Sequence, residues 1–265
     1  MESEAGLVKN RDWGGRIAQG ARRLGGMLLD LAYPPVCLNC DAPAASPDLL
    51  CANCFKGLQP ISAPLCPVLG LPFSVSLGPD ALSAEALADP PPFARARAAV
   101  VYNDVARTLV SRLKYGDRPE LARFCARLMA GAGHELWAGN PILVPVPLHP
   151  ARQRERRYNQ SAELAQALGA ITGLSVDPLL VRRIRKTRQQ VGLSQDGRQR
   201  NVSGAFAVHP DMLARSQGRR VVLVDDVYTT GATTKAVTRA LLKGGAHSVD
   251  VMSFARVVIG VDLPI

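Results

Sequence analysis

The 265-residue sequence lacks any long hydrophobic run, because glycines, prolines and charged residues interrupt every apolar stretch. A membrane-spanning helix needs about 18 to 20 consecutive apolar residues, so an integral membrane protein is excluded. The chain begins with the acidic segment Met1–Glu4, and no apolar segment with a cleavage site follows it. The sequence therefore predicts a cytoplasmic protein. In that reducing compartment, clustered cysteines are more typical of a metal site than of disulfides.

Acidic and aromatic residues are also scarce. The sequence has 22 Asp and Glu against 32 Lys and Arg, which gives a formal net charge of +10, and aromatic residues make up 5%. The positive charge predicts attraction to polyanions such as nucleic acid, phosphorylated metabolites or an anionic membrane. The scarcity of aromatic side chains argues against a stacking platform for nucleic-acid bases. With 47% hydrophobic residues, the composition is otherwise that of a globular protein of one or two domains.

The first 93 residues divide into three segments of different composition. Residues 1–33 place arginines between apolar residues at helical spacing, which predicts a basic amphipathic helix. Such a helix can dock on the next domain or lie on the inner face of the membrane, and both alternatives stay open. Residues 34–75, rich in proline and cysteine, predict a small metal-stabilised module. Residues 76–93 are polar and proline-containing, as in a linker with at most one short helix.

Residues 94–265 alternate short apolar strands with amphipathic helices. Strands are predicted at 98–102, 142–144, 205–208, 220–224 and 248–258, and helices from 104, at 120–131, at 159–172 and at 233–244. Residues 182–204 are basic and without periodicity, as in a mobile loop able to close over a ligand. The alternation predicts an α/β domain with a mostly parallel sheet covered by helices on both faces. Such folds bind ligands at the carboxyl ends of their strands.

The segment from Val221 to Thr234 carries the most specific chemical pattern. An apolar strand ends in two adjacent carboxylates, Asp225 and Asp226, and a loop of small residues then leads to a helix start. The loop consists of Thr229, Thr230, Gly231, Ala232 and Thr233. Small residues let backbone N–H groups close around a phosphate, and the helix start adds partial positive charge. The two acids would repel that phosphate unless they bind sugar hydroxyls or Mg²⁺, so the pattern predicts a site for a phosphorylated sugar.

Two basic segments are candidates for binding a pyrophosphate group. The first follows the strand at 142–144 and comprises Val146, Pro147, Leu148, His149, Arg152, Arg154 and Arg157. The second is the predicted mobile loop, with the candidates Lys186, Thr187, Gln190 and Arg198. Arginine suits this role because its planar guanidinium binds phosphate oxygens in pairs and stays protonated. An arginine-rich turn can equally be a solvated surface. Between Arg152 and Arg200, eleven basic residues stand against four acidic ones, so most of the net charge lies here.

Four of the six cysteines form two Cys-x-x-Cys pairs separated by ten residues. The pairs are Cys37 with Cys40 and Cys51 with Cys54. Together they offer four thiolates for a closed tetrahedral site, the arrangement typical of structural Zn²⁺. An iron–sulfur site and disulfides are the alternatives. Cys125 lies among apolar residues of a predicted helix and is expected to be a small core residue.

The segment from Val221 to Thr233 resembles the motif with which type I phosphoribosyltransferases bind phosphoribosyl pyrophosphate (PRPP). From Leu28 to Val257 the chain resembles the ComF family, competence-associated proteins with a zinc-ribbon-like start and a phosphoribosyltransferase domain. Besides the cysteine pairs and the acidic loop, this resemblance rests on the motifs Leu113–Asp117, Val144–His149, Tyr158–Gln160, Lys186–Leu193 and Arg198–Asn201. Many relatives carry further cysteine pairs, but here Cys66 stands alone with Leu69 where a partner would fall. A second zinc site is therefore not expected.

The resemblance implies a pentosyl-transferring enzyme. Asp225 and Asp226 would hold the ribose 2′- and 3′-hydroxyls of Mg²⁺-bound PRPP, residues 229–233 would bind its 5′-phosphate, and a nitrogen acceptor would displace pyrophosphate. Purine-salvage relatives often have an Asp that accepts a proton where this chain has Thr229. A nucleobase deprotonated by that route is therefore less favoured, and the nitrogen acceptor is not identified. The family's link to competence implies an alternative: a catalytically idle protein that binds nucleotide or single-stranded DNA among DNA-uptake proteins. DNA binding should weaken steeply with salt, whereas PRPP binding should depend on Mg²⁺ and the two acids.

Overall fold

A computed structural model describes residues 34–115, 119–149, 158–185, 195–216 and 218–258. The predicted helix of residues 1–33 lies outside these ranges, and so do Arg152, Arg154, Arg157, Lys186, Thr187 and Gln190. The chain divides into two compact units, Met1–Cys51 and Ala52–Ile265. In the ranges described, no helix combines the length and the apolar character needed to cross a membrane.

A four-stranded parallel sheet forms the centre of the second unit. Its strands are β1 (Ala96–Val101), β2 (Ile142–Pro145), β5 (Val221–Tyr228) and β6 (Val249–Arg256), in the order β1-β6-β5-β2. The central strand β5 therefore pairs with β6 on one side and with β2 on the other. Two further strands, β3 (Val181–Arg183) and β4 (Phe206–Val208), form a separate antiparallel pair. The predicted mostly parallel sheet is confirmed.

Helices connect these strands, as parallel pairing requires. Those in the described residues are α1 (Ala52–Lys56), α2 (Ala84–Ala88), α3 (Asp104–Tyr115), α4 (Pro119–Ala132), α5 (Gln160–Thr172), α6 (Gln195–Val202), α7 (Met212–Ser216) and α8 (Ala232–Lys243), with a 3-10 turn at His134–Leu136. Helix α3 follows the predicted amphipathic pattern, because its apolar residues Leu109, Val110 and Leu113 are buried. Cys125 on α4 is fully buried, as predicted for a core residue.

Both faces of the sheet are covered, because alternate residues of a strand point to opposite sides. On one face Val144, Leu223 and Val251 belong to a core cluster that includes Val237 and Leu241 of α8. The alternate residues Leu143, Val222 and Met252 are also fully buried. Helix α4 contacts β1 and β6, and helix α5 contacts β2 and β5. The near-continuous apolar character of β5 follows from this burial on both sides.

The structure corrects two boundaries. The basic segment 182–204 was expected to be irregular, but its described part contains most of β3 and all of α6. Helix α6 has no apolar face, so the spacing of hydrophobic residues in the sequence does not reveal it. Its contacts with α8 hold it in place. Strand β5 continues beyond the predicted 220–224 as far as Tyr228, because β6 pairs with it up to the register pair Tyr228–Arg256. The acidic pair thus lies within the strand.

Part of the basic excess serves the fold. Arg183 is buried and its guanidinium lies 5.4 Å from the ring centroid of Phe206. Arg185 donates hydrogen bonds to the carbonyl oxygens of Asn201 and Ser203 at 3.2 and 2.5 Å. At the amino end of β6, the fully buried Asp250 accepts hydrogen bonds from two further arginines, Arg95 and Arg220. Positive charge counted in the sequence is therefore not all available for a ligand.

Candidate active site and metal centre

The acidic pair lies where the sheet opens on one side. Strand β2 pairs with β5 only as far as Pro145–Val224, and the N–H of Val146 then donates to the carbonyl oxygen of Val224 at 2.9 Å. From Asp225 onward β5 has β6 as its paired neighbour. Asp225 is half-buried and Asp226 is buried, at 5% exposure. The two carboxylates thus stand at the carboxyl edge of the sheet, where α/β folds bind ligands.

The start of α5 is joined to this edge by side-chain hydrogen bonds. Ser161 Oγ donates to Asp225 Oδ1 at 3.0 Å. Asn159 caps the helix by accepting from the N–H of Ser161, and its Nδ2 donates to the carbonyl oxygen of Val146. The hydroxyl of Tyr158 donates to the carbonyl oxygen of Leu113 at the end of α3. The motif Tyr158–Gln160, whose role no sequence pattern predicted, therefore fixes two helices against the acidic pair.

Lys114 is the residue that sequence reasoning missed. Its Nζ lies 2.6 Å from Asp226 Oδ2, and both side chains are largely shielded from solvent. The motif Leu113–Asp117 contains this lysine, but nothing in its spacing relates residue 114 to residue 226. A charged residue on the polar side of a helix such as α3 is normally expected to face solvent. The ion pair arises because the last turn of α3 lies over the carboxyl end of β5.

The environment raises the pKa of Asp225 to about 7. Burial is the main cause and the neighbouring charge of Asp226 adds to it. The N–H of Asp226, the Ser161 hydroxyl and the Lys114 ammonium group oppose the shift. The site therefore holds one carboxylate paired with a cation and a second whose charge is costly without a ligand. Such a pair is suited to accept hydrogen bonds from hydroxyls or to bind a divalent cation.

The predicted phosphate loop follows β5 and leads directly into α8. Gly231 adopts φ 72° and ψ 6°, a left-handed conformation that other residues rarely adopt. A Cβ atom at this position would lie 2.2 Å from the hydroxyl of Tyr228, so glycine is required for space as well. The Thr230 hydroxyl is buried without a hydrogen-bond partner in the described structure. A buried unsatisfied donor beside the first turn of a twelve-residue helix fits an anionic ligand.

The two basic segments are only partly described. Val146 and Pro147 are buried, while Leu148 and His149 are half-buried at the start of the loop after β2. This loop begins beside the acidic pair, but its arginines lie outside the described residues. Arg198 lies in α6, and the other mobile-loop candidates are outside the described ranges. Their role in holding pyrophosphate stays a prediction.

The four paired cysteines come together in space. The sulfur atoms of Cys37, Cys40, Cys51 and Cys54 lie within 4.8 Å of one another, and no other metal-ligand cluster occurs in the described ranges. No disulfide joins any of the six cysteines in the described structure. Burial would raise the pKa of the Cys37 thiol, but N–H groups of Cys51 and Asn39, with help from Cys40, lower it to about 6. Four sulfur ligands, one of them already favouring the thiolate, fit a closed structural zinc site.

Comparison with known proteins gives two family-model matches. A double zinc ribbon domain matches residues 28–87, and a phosphoribosyl transferase domain matches residues 160–260. The DNA utilization protein YhgH of Salmonella typhimurium is 34% identical over 234 residues, which cover 85% of this chain and 99% of the relative. Competence protein F of Haemophilus influenzae is 35% identical, over 56% of this chain and 66% of its own length. The chain belongs to the ComF family.

A more distant ComF relative, competence protein ComFC of Bacillus subtilis, is 29% identical over 83% of this chain and 95% of its own length. The matched phosphoribosyl transferase domain begins at the first residue of α5 and includes both acids and the phosphate loop. The matched zinc ribbon domain includes all four clustered cysteines. The predicted family and fold class are thereby confirmed, and the ribbon match supports zinc over an iron–sulfur site.

The space requirement at Gly231 can be separated from its backbone strain. Gly173, the C-cap of α5, has nearly the same conformation, φ 74° and ψ 6°, but a Cβ there would meet nothing within 4 Å. Gly173→Ala should therefore cost only the left-handed strain, about 1 kcal/mol of unfolding free energy. Gly231→Ala should cost about 2–4 kcal/mol, because the new methyl group also displaces Tyr228. Denaturant unfolding of both variants measures the difference, and equal losses would contradict the steric role of Tyr228.

The raised pKa of Asp225 predicts a pH-dependent stability. Its folded-state pKa of about 7 exceeds the unfolded value of about 4. The folded chain therefore binds more protons between these values, and the unfolding free energy falls as pH rises through this window. Asp225→Asn removes the charge, so its stability relative to wild type should improve by about 1–2 kcal/mol between about pH 5.5 and about pH 8. Asp104→Asn, at an acid that is 92% exposed and paired with an arginine, is the control. A pH-independent difference for Asp225→Asn would refute the expectation.

Zinc content tests the metal centre. The purified protein should contain bound zinc, and Cys51→Ser should lose most of it, because three thiolates no longer close the tetrahedral site. Cys125→Ala is the matched control, since this cysteine is buried in the core outside the cluster. Elemental analysis measures both. Wild-type protein with less than about half an equivalent of zinc would rule out the structural site.

Proposed function

We propose that this ComF-family protein binds Mg²⁺-PRPP at the carboxyl edge of its sheet and transfers the phosphoribosyl group to a nitrogen acceptor, releasing pyrophosphate. The proposal rests on one observation: two chemically different halves of a binding site, called half-sites here, lie in one continuous segment of the chain. A phosphate-accepting helix start lies a few residues after a pair of acids, within the same strand–loop–helix segment. A phosphorylated sugar presents a phosphate to one half-site and hydroxyls to the other.

The phosphate half-site is supported by Gly231 and Thr230. The left-handed glycine turns the chain into α8 and supplies no side-chain cap, so the amino end of this helix can face a ligand. The Thr230 hydroxyl, buried and unpartnered in the described structure, would gain a phosphate oxygen as its acceptor. The 5′-phosphate of PRPP would thus give the Thr230 hydroxyl the partner that it lacks in the described structure.

The ribose half-site is supported by Asp225 and Asp226. Carboxylates accept hydrogen bonds from the adjacent hydroxyls of a ribose ring, and Ser161 and Lys114 already hold the two side chains in place. Because Lys114 compensates one of the two charges, the pair can lie close to a phosphate loop without the repulsion of two free carboxylates. Binding of hydroxyls or a cation would favour the ionised form of Asp225.

The chemical step follows from this placement. The bond between C1′ of the ribose and the pyrophosphate oxygen breaks, and pyrophosphate keeps the electron pair. The acceptor nitrogen forms the new bond to C1′ and loses its proton to solvent. Mg²⁺ bound with PRPP supplies positive charge to the leaving pyrophosphate. The chain's own task is to orient the ribose through Asp225 and Asp226 and to stabilise the leaving group with arginines of the loop after β2.

The names of the relatives favour a second candidate function. Proteins named for DNA utilization and for competence suggest a role in DNA uptake in the cytoplasm, with single-stranded DNA or uptake proteins as partners. The net charge of +10 supports contact with a DNA backbone. In this version the fold binds a nucleotide or single-stranded DNA without turnover. The two candidates differ in the role of Asp225 and Asp226, because PRPP binding would require both acids and DNA binding would not.

PRPP binding decides between them. Calorimetry should detect PRPP binding that requires Mg²⁺, and Asp225→Asn/Asp226→Asn should weaken it about 100-fold, because two charge-assisted hydrogen bonds are lost. Asp211→Asn removes an exposed acid and is the charge-matched control. Release of pyrophosphate upon addition of candidate nitrogen acceptors then tests for transfer.

The outcomes separate the candidates. If PRPP binds equally well to wild type and to the double variant, the proposed site is wrong. If PRPP does not bind but single-stranded DNA does, the second candidate is supported. That DNA binding should weaken steeply between about 50 and 200 mM salt and should not be lowered by loss of the two acids.

A further inference from the structure

The zinc module has a distinctive backbone pattern around its first cysteine. Val36 and Pro43 form an antiparallel bridge, and the N–H of Cys37 donates to the carbonyl oxygen of Ala42 at 2.7 Å. The N–H of Cys51 donates to the sulfur atom of Cys37 at 3.2 Å. We call residues 36–54 the first ribbon copy. Its four metal positions are the four clustered cysteines.

Residues 65–86 repeat this pattern, and we call them the second ribbon copy. Leu65 and Pro72 form an antiparallel bridge with the same spacing, and the N–H of Cys66 donates to the carbonyl oxygen of Leu71 at 2.8 Å. The N–H of Ser83 donates to the sulfur atom of Cys66 at 3.4 Å. Both of these hydrogen bonds of the first ribbon copy therefore have a counterpart at the equivalent position.

The helices that follow extend the correspondence. Cys51 immediately precedes the five-residue helix α1, and Ser83 immediately precedes the five-residue helix α2. Cys54 and Ala86 are each the third residue of these helices. The four metal positions Cys37, Cys40, Cys51 and Cys54 thus correspond to Cys66, Leu69, Ser83 and Ala86. The repeat is not visible as sequence identity, because three of these four residues differ.

The turn residue also corresponds, and its difference explains where the second ribbon copy lies. Asp41 and Gly70 both follow the second metal position, have φ 60° and 63°, and donate their N–H to the carbonyl oxygen of Cys37 and of Cys66 respectively. A Cβ at Gly70 would lie 2.3 Å from the carbonyl oxygen of Ala96 on β1. Glycine is needed here because the second ribbon copy packs directly against the sheet.

The residues at the metal positions of the second ribbon copy are core residues. Leu69 is 3% exposed and Ala86 4% exposed, and both belong with Cys66 to the core cluster that contains Tyr228 and Ala232. Alkyl side chains cannot ligate a metal ion. The Cys66 sulfur instead accepts N–H groups from Leu69, at 3.5 Å, and from Ser83. Those donors satisfy the one thiol that remains.

This core connects the second ribbon copy with the phosphate loop. The buried Arg256 donates to the carbonyl oxygen of Leu69 at 2.6 Å, and its guanidinium lies 4.4 Å from the ring centroid of Tyr228. Tyr228 is the residue whose hydroxyl occupies the space beside Gly231. At the start of α8, Lys235 forms an ion pair with Asp89, just after α2, at 2.7 Å. The former metal position therefore lies behind the phosphate loop.

We propose that the second ribbon copy is metal-free, that apolar packing has replaced its metal ion, and that this packing supports Tyr228 and the phosphate loop. The double zinc ribbon of the family model is thus a single-zinc domain in this chain. The inference does not require PRPP binding, so either proposal can fail alone.

Metal counting on the full-length protein tests the inference. Wild type should hold about one zinc per chain. The variant Leu69→Cys/Ser83→Cys/Ala86→Cys restores four thiols at the corresponding positions and should hold about two. A wild-type content of two would overturn the proposal. So would a restored variant with wild-type circular dichroism and only one zinc, because the four positions would then not correspond.

A second variant decides the matter if the restored variant does not fold. Cys66→Ala removes the remaining thiol of the second ribbon copy, and its zinc content should equal that of wild type. Cys37→Ala, the equivalent change in the first ribbon copy, should lose most of the zinc. Loss of zinc from Cys66→Ala, measured beside a Cys125→Ala control, would show that Cys66 is a ligand and would overturn the proposal.

Discussion

The structure depends on the different lengths over which the central strand β5 pairs with its two neighbours. On the β6 side the ladder runs to Tyr228, whereas on the β2 side it stops at Val224. Pro145 and Pro147 bracket the end of β2 and leave Val146 as the last donor there, because proline has no N–H. On the β2 side the sheet therefore opens at Asp225.

The two carboxylates are held by side chains that come from distant parts of the chain. Ser161 arrives on α5 and Lys114 on α3, and each holds one carboxylate. Together they make a buried acid pair tolerable, although burial still raises the pKa of Asp225. A carboxylate kept in this state destabilises the empty protein and favours a ligand that can compensate its charge. Loss of stability at a binding site in exchange for function is common in proteins.

The two ribbon copies present the same backbone pattern with different stabilisers. The first has four sulfur ligands, and a module of this size has too small a core to be stable without a metal ion. The second lies against β1 and shares the core of the parallel sheet, so Leu69 and Ala86 can replace ligands. Arg256 then links this core to Tyr228. The second ribbon copy, which in the sequence looks like a single cysteine followed by a linker, therefore supports the phosphate loop from the core side.

The sequence by itself determined what depends on neighbouring residues. The periodicity of the α/β domain, the strand–acid–acid–loop–helix segment and the spacing of the cysteine pairs are local patterns, and the parallel sheet and the four-sulfur cluster confirm them. Helix α6 escaped because it is polar on all sides and is held by α8. Only the tertiary structure decided that Lys114 pairs with Asp226 and that Ser83 and Ala86 complete the second ribbon copy that Cys66 and Leu69 begin. Both depend on contacts between residues far apart in the chain or on backbone hydrogen bonds, neither of which leaves a periodic signal in the sequence.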